Sequence, residues 1–139
     1  MINTKDVIRI KIPYPSIHDN LALHAHMYIC KTSDSSLKEL VKCQTLKPYM
    51  LIHNTIQHYC DEQPDIQRNP FNHVTRIDCD KLFSSNNVLY DLNLRTTSRV
   101  DICQELYDEI TNELKKDGYQ EIMMNENELT SLNPLITPS

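Results

Sequence analysis

Residues 21–31 read LALHAHMYICK, and this stretch decides which fold the chain can adopt. Its residues fall into two alternating sets, one of Leu23, Ala25, Met27 and Ile29 and the other of His24, His26, Tyr28 and Cys30. A period of two is typical of a β-strand with one covered face. As a strand, the stretch would project the His24 and His26 rings from one face, roughly 6–7 Å apart at two residues' rise.

Further strand patterns lie on both sides of this stretch. Residues 6–13, DVIRIKIP, alternate isoleucines with Arg9 and Lys11 until Pro13 ends the run. Residues 37–46, LKELVKCQTL, alternate again and favour a third strand. Residues 73–83 and 88–94 carry two more apolar runs, so the sequence predicts a sheet of several strands.

One amphipathic helix is predicted at residues 98–114. Its apolar stripe recurs at intervals of three and four and consists of Val100, Cys103, Tyr107, Ile110 and Leu114. Ser98, with Asp101 three residues later, forms a pattern like a capping box, and Gly118 stands where a C-terminal cap belongs. The stripe is expected to pack on the sheet.

These patterns together predict an α+β fold. Its core would be a small curved antiparallel sheet or a barrel, followed by the C-terminal amphipathic helix. Residues 1–118 would form this single barrel-like domain. Residues 119–139 form a polar tail that is expected either to dock as a short helix around residues 125–132 or to stay mobile.

Composition excludes several function classes. The formal net charge of −5 counts against tight, non-specific binding of nucleic acid, although it leaves room for a local basic patch. Gly118 is the only glycine, which excludes glycine-rich phosphate loops. The sequence has no apolar run long enough to span a bilayer and no signal-peptide pattern, so the cytoplasm is the expected compartment and no membrane partner is expected.

Cysteine and histidine spacing indicates neither a disulfide framework nor a cofactor. Five widely spaced cysteines are an odd number, and they are expected to be small buried hydrophobes. The pairs His24-x-His26 and His58-x-Cys60 leave a structural zinc site as an alternative, but no C-x₂-C spacing supports it. We therefore expect no metal and no cofactor.

Four segments carry a resemblance to a known family. They are DVIRIKIPYP, HAHMYICKTS, LVKCQTLKP and HVTRIDCDKLF, and the predicted helix follows them after LRTTSR. Their order resembles the MazF/PemK family of endoribonuclease toxins, which are SH3-like barrels with a terminal helix. The resemblance implies cleavage of single-stranded RNA, a homodimer and a cognate antitoxin protein. The threonine of the family falls on Thr45, whereas its Arg-Pro pair falls on His24-Ala25 and its following serine on Leu46.

Metal-free RNA cleavage needs a base for the 2′-hydroxyl proton, an acid for the leaving oxygen and a donor facing the phosphorane charge. Histidine can perform both proton transfers near neutral pH. We therefore predict a catalytic set of His24, His26 and Thr45. The predicted substrate-binding residues are Tyr28, Lys42 and Arg76.

Two other interpretations use the same residues. Histidines on the wet face of a strand are most often ordinary solvated residues, and Thr45 fits the general preference of threonine for strands. The chain would then be a non-catalytic protein-binding regulator or host-factor inhibitor on the same fold. The missing arginine and the acidic net charge favour this alternative.

Overall fold

A computed structural model describes residues 1–139. The strands are β1 (Val7–Ile10), β2 (His26–Ser33), β3 (Leu37–Thr45), β4 (Tyr59–Glu62), β5 (Thr75–Asp78), β6 (Lys81–Asn86), β7 (Val88–Tyr90), β8 (Gln120–Met123) and β9 (Ile136–Pro138). The helices are α1 (Asn20–Leu23), α2 (Pro48–Ile52), α3 (Gln104–Lys115) and α4 (Glu126–Leu132), with one 3-10 turn at Leu92–Leu94. No helix is both long and apolar enough to cross a bilayer.

Strand β3 is the centre of the main sheet. One edge of β3 pairs with β2, and its other edge pairs with β6 over residues 37–40 and with β5 over residues 43–45. The resulting order is β1-β2-β3-β5-β4, with β8 added parallel to β6 and a separate β7-β9 pair. All the other pairings are antiparallel. The fold is therefore a mixed α+β fold with an open, mostly antiparallel sheet, and the sheet does not close into a barrel.

Both faces of the sheet are covered. One core contains Tyr28 and Cys30 of β2, together with Ile8 and Ile10. The other core contains Ile29 of β2 and is covered by the inward face of α3. The prediction that Tyr28 lies on a solvent-exposed face of residues 21–31 is wrong, because elements near the C-terminus bury its side chain.

The single strand predicted over residues 21–31 needs a second correction. Residues 20–23 form the helical turn α1, whose carbonyl at Asn20 accepts a hydrogen bond from the His24 N–H. Strand β2 begins only at His26, which is the partner of Ile10, the last residue of β1. Residues before His26 have no strand to pair with, and a local turn satisfies their backbone instead.

Helix α3 also begins later than predicted. The segment before it is hydrogen-bonded to β1, with the Val7 N–H donating to the Val100 carbonyl and the Thr96 N–H donating to the Val7 carbonyl. These long-range bonds occupy the backbone of the expected first turn. Cys103 caps the helix instead of Ser98, since its Sγ accepts a hydrogen bond from the Leu106 N–H.

The buried side of α3 consists of Leu106, Ile110 and Leu114, and Cys103 and Tyr107 lie partly buried beside it. Val100, which was predicted to belong to the stripe, lies outside the helix and is exposed. The helix therefore packs on the sheet with a face slightly rotated from the predicted one.

Residues 119–139 form β8, α4 and β9. Leu129 of α4 is fully buried in the core that contains Tyr28. Asn133 joins this segment to the chain beyond β1, because its side-chain amide accepts from the Lys11 N–H and donates to the Lys11 carbonyl. Residues 119–139 thus complete one face of the sheet.

We expect Leu129→Ala to lower the free energy of unfolding by about 2–5 kcal/mol, because it opens a cavity in a closed core. Urea denaturation followed by circular dichroism measures this change. Leu135→Ala removes the same atoms from an exposed position of the same segment and is the matched control. Equal, small effects of the two substitutions would contradict the packing of α4.

Candidate functional site

Two adjoining clefts lie at the end of the sheet where β2 begins and β3 ends. Their volumes are about 450 Å³ and about 390 Å³. They share Arg9, Met27 and Asn72 in their walls, so they form one continuous groove. We call the larger part the first cleft and the smaller part the second cleft.

Five segments of the chain supply the side chains of the first cleft. The residues with chemistry are Arg9 from β1, His26 from β2, Gln44 and Thr45 from β3, Tyr49 from α2, and Asn72, His73 and Thr75 from the approach to β5. The pairing of Thr45 with Thr75 brings the end of β3 beside the start of β5. His26 and His73 therefore lie on opposite sides of the end of β3, although 47 residues separate them in sequence.

The groove is cationic although the chain is acidic. No aspartate or glutamate lines either cleft. Three of the five arginines, Arg68, Arg76 and Arg99, are paired with carboxylates. The other two, Arg9 and Arg95, have no carboxylate partner, and both line the groove. Unpaired guanidinium groups in an acid-free groove favour an anionic ligand.

His26 has a defined tautomer in the first cleft. Its Nδ1 lies 2.9 Å from the carbonyl oxygen of His24, and a carbonyl only accepts, so Nδ1 carries a proton. In the neutral ring the lone pair is then on Nε2. Burial is the largest influence on the pKa of His26 and lowers it from 6.5, and the nearby charges of Lys42 and Arg9 act in the same direction. A neutral imidazole with a free Nε2 can accept a proton at pH 7.

The groove brings together only part of the predicted site. His26 and Thr45 both line the first cleft. His24 ends α1 and lines neither cleft, although its backbone carbonyl accepts a hydrogen bond from the His26 ring. Lys42 is half-buried outside the groove, and burial is the main cause of its lowered pKa.

Tyr28 and Arg76 are corrected as substrate-binding residues. The Tyr28 ring is fully buried and packs edge-on against Phe83, with ring centroids 6.1 Å apart. Arg76 is also buried. It donates two hydrogen bonds of 2.8 Å to the Asp61 carboxylate and stacks 3.7 Å from the centre of the Tyr59 ring. Both side chains stabilise the interior and face no ligand.

Sequence reasoning missed His73, Asn72, Arg95 and the role of Arg9. The alternation of residues 6–13 places Arg9 at a polar position of a strand and does not mark it as a ligand-binding residue. The signal that distinguishes Arg9 and Arg95 is their lack of a carboxylate partner, which depends on contacts between distant segments. His73 carries no local signal in the sequence.

The spacings that suggested zinc do not build a metal site. No group of three or more His, Cys, Asp or Glu side chains has an arrangement that could hold a metal ion. Both ring nitrogens of His58 are occupied by carboxylates, with Nδ1 3.4 Å from Glu113 and Nε2 2.9 Å from Asp117. His58 thereby ties β4 to the end of α3.

No family model matches the sequence, and no curated protein or solved structure matches the chain. A functional assignment therefore depends on the groove residues themselves. The features that define the groove are two histidines, two unpaired arginines and the absence of acidic side chains.

Proposed function

We propose that the chain is an endoribonuclease that cleaves single-stranded RNA in the first cleft by histidine acid–base chemistry. The observation that carries the proposal is that His26, His73 and the unpaired Arg9 line one cleft without a carboxylate. Two imidazoles supply the two proton transfers, and a guanidinium supplies the charge that faces the phosphate.

The reaction proceeds by transfer within the RNA. Nε2 of His26 takes the proton of the 2′-hydroxyl while its oxygen forms a bond to the adjacent phosphorus. The bond from phosphorus to the 5′-oxygen breaks, and protonated His73 gives its proton to that oxygen. The products are a 2′,3′-cyclic phosphate and a free 5′-hydroxyl, and Arg9 stabilises the added negative charge of the phosphorane.

Polar and aromatic residues around the histidines support binding of a single strand. Tyr49 is 61% exposed at the rim of the first cleft and can stack on an unpaired base. Thr45 and Gln44 present a hydroxyl and an amide to the same space. Base edges and the 2′-hydroxyl are the groups that such side chains recognise in RNA.

The resemblance to the MazF/PemK family enters the proposal at Thr45. This is the position where the family threonine and the lining of the first cleft coincide. Within the proposal, the open sheet is a divergent form of the SH3-like barrel, and the chain acts in the cytoplasm as a homodimer restrained by a cognate antitoxin. The family arginine is replaced in function by Arg9, which comes from β1.

The test is incubation of the purified protein with single-stranded RNA in excess EDTA. We expect cleavage products that carry 2′,3′-cyclic phosphate and 5′-hydroxyl ends. A His26→Ala protein purified in parallel controls for contaminating nucleases. Intact RNA after long incubation at high protein concentration would contradict the proposal, and so would products with 3′-hydroxyl and 5′-phosphate ends.

The pH dependence of cleavage gives an independent prediction. His26 acts as a base only when neutral, and burial lowers its pKa below 6.5. Activity should therefore persist as the pH falls through 6.5 and be lost at a lower pH. The acidic limb of kcat/KM against pH measures this midpoint. A midpoint above 6.5 would exclude His26 as the base.

A protein-binding regulator is the second candidate function. It is favoured by the exposed apolar side chains of Tyr49, Leu51 and Ile52 on α2, which are 61%, 68% and 78% exposed. Contiguous exposed apolar residues often mark a protein interaction site. This candidate predicts a wild-type protein that is inert on RNA but forms a stoichiometric complex with a protein partner, which Leu51→Glu abolishes.

A further inference from the structure

The second cleft has the features of a binding site in its own right. It opens beside the first cleft across Arg9 and Asn72 and is lined mainly by polar residues. Its polar lining includes Asn93, Arg95, Thr97 and Ser98. None of the catalytic groups of the proposed reaction except Arg9 reaches it.

The floor of the second cleft is fixed to the sheet. Arg95 forms an isolated antiparallel bridge with Ile8 of β1. Next to it, the Thr96 N–H donates to the Val7 carbonyl, and the Thr96 hydroxyl is turned inward toward the Arg99 carbonyl. The segment that carries Arg95, Thr97 and Ser98 is therefore held against an edge strand, so these groups are positioned before a ligand arrives.

Several polar groups in this cleft lack partners within the protein. Arg95 donates from Nε to the Leu92 carbonyl, and its two terminal nitrogens have no protein acceptor. The side chains of Asn72, Thr97 and Ser98 make no hydrogen bond within the chain and are exposed. The nearest acidic residues in sequence are occupied elsewhere, since Asp91 accepts from the Asn93 N–H and Asp101 pairs with Arg99.

Arg9 and Arg95 are neighbours in space. Arg95 bridges Ile8, and Arg9 is the next residue along β1. Both side chains line the second cleft, so an anion bound there would face two positive charges that have no carboxylate partner. Because the groove is continuous, an RNA strand with one phosphate at Arg9 would carry its next phosphate toward Arg95.

We propose that the second cleft is a phosphate subsite, in which Arg95, Thr97 and Ser98 bind the phosphate adjacent to the scissile one on the same RNA strand. The inference rests on the proposed function for the position of the scissile phosphate. It adds that the protein requires a strand that continues past the cleavage point. The planar guanidinium and two hydroxyls match the oxygens of a phosphodiester.

The test uses 2′-O-methyl oligonucleotides, which cannot be cleaved through their 2′-oxygen. A fluorescein-labelled hexanucleotide is made with each internal phosphate replaced in turn by a neutral methylphosphonate. Binding to wild type, Arg95→Gln and Arg9→Gln is measured by fluorescence anisotropy at several salt concentrations. Lys115→Gln removes the same charge from an exposed position on α3, away from the groove, and is the matched control.

We expect Arg95→Gln to weaken binding of the all-phosphate probe about tenfold, as for loss of a hydrogen bond to a charged group. The slope of log affinity against log salt should fall by about 0.7, the value for one phosphate contact on a single strand. At one methylphosphonate position, Arg95→Gln should cause no further loss of affinity, because the charge that Arg95 contacts is already absent. The adjacent position should be the one at which Arg9→Gln causes no further loss of affinity. Arg95→Lys should restore the salt slope, which separates loss of charge from misfolding.

Three results would overturn the subsite: no binding of the probe by the wild type, additive losses from Arg95→Gln at every position, or an effect no larger than that of Lys115→Gln. The subsite and the proposed function fail separately. If one methylphosphonate position abolishes the effect of Arg95→Gln but unmodified RNA is not cleaved, the phosphate site stands and the ribonuclease proposal falls. If RNA is cleaved but no methylphosphonate position abolishes the effect of Arg95→Gln, only the subsite proposal falls.

Discussion

Replacement of His26 by alanine is expected to lower the rate of RNA cleavage by about 10²–10⁴-fold, the usual contribution of a positioned general base. The loss should appear in kcat, with KM little changed, because the ring acts on a proton in the transition state more than it binds the substrate. Single-turnover cleavage of a labelled oligonucleotide measures it. The variant should stay folded, because His26 lies at the start of β2 and is only half-buried.

His24→Ala is the matched control for His26→Ala. The His24 ring lines neither cleft, and the hydrogen bond that His24 makes to the His26 ring comes from a backbone carbonyl that alanine retains. This variant should cleave RNA at close to the wild-type rate. Equal losses of activity in the two variants would indicate that both rings face the substrate, as predicted if residues 21–31 formed one strand. Loss in His24→Ala alone would contradict the groove as the site of reaction.

The second large effect is on stability, and Asp61→Asn should produce it. The Arg76 side chain is 2% exposed and its guanidinium donates two hydrogen bonds to Asp61, whose side chain is 34% exposed. These bonds raise the pKa of Arg76, so it stays charged. Removing the carboxylate charge leaves a buried cation without a counterion, which costs about 3–5 kcal/mol, with the partial exposure of Asp61 placing it near the lower end.

Urea denaturation at pH 7 measures the effect of Asp61→Asn. Glu105→Gln is the matched control, because Glu105 is exposed and its carboxylate lies 3.4 Å from Arg68 at the surface. An exposed pair of this kind contributes about 1 kcal/mol or less. If Asp61→Asn were no more destabilising than Glu105→Gln, Arg76 would be free of its structural role and available again as a binding residue.

The strand patterns with a clear period were predictable from the sequence. The cores of β1 and β3 lie where alternation places them, β5 lies within a predicted apolar run, and α3 begins six residues after its predicted start. Local patterns report these elements because side-chain burial repeats with the period of the backbone. The open sheet and the placement of β8 beside β6 come from pairings between distant segments, which no local pattern encodes.

The boundary at His26 shows why the site was only partly predictable. Alternation runs without a break from Leu23 to Cys30, yet the strand begins at His26 because β1 ends at its partner Ile10. The end of a strand depends on the length of its neighbour. His24 is therefore not part of the strand, and of the two histidines only His26 lines the first cleft.

The arginines show the same limit for charge. The sequence predicts Arg76 as a substrate-binding residue and places Arg9 at a polar position of a strand. Their roles are reversed by contacts across the fold, since Asp61 pairs with Arg76 while no carboxylate reaches Arg9. Whether an arginine is free to bind a ligand depends on the side chains that surround it in the folded protein, and composition does not show which these are.

Histidine NMR tests the central claim most directly, namely that His26 and His73 face one phosphodiester in a shared groove. The six histidine rings are followed while a 2′-O-methyl RNA oligonucleotide is added to the wild-type protein. We predict saturable shifts of both the His26 and His73 resonances, with His58 unmoved because its ring is held by Glu113 and Asp117. Shifts confined to other histidines, or none at all at saturating oligonucleotide, would contradict the account.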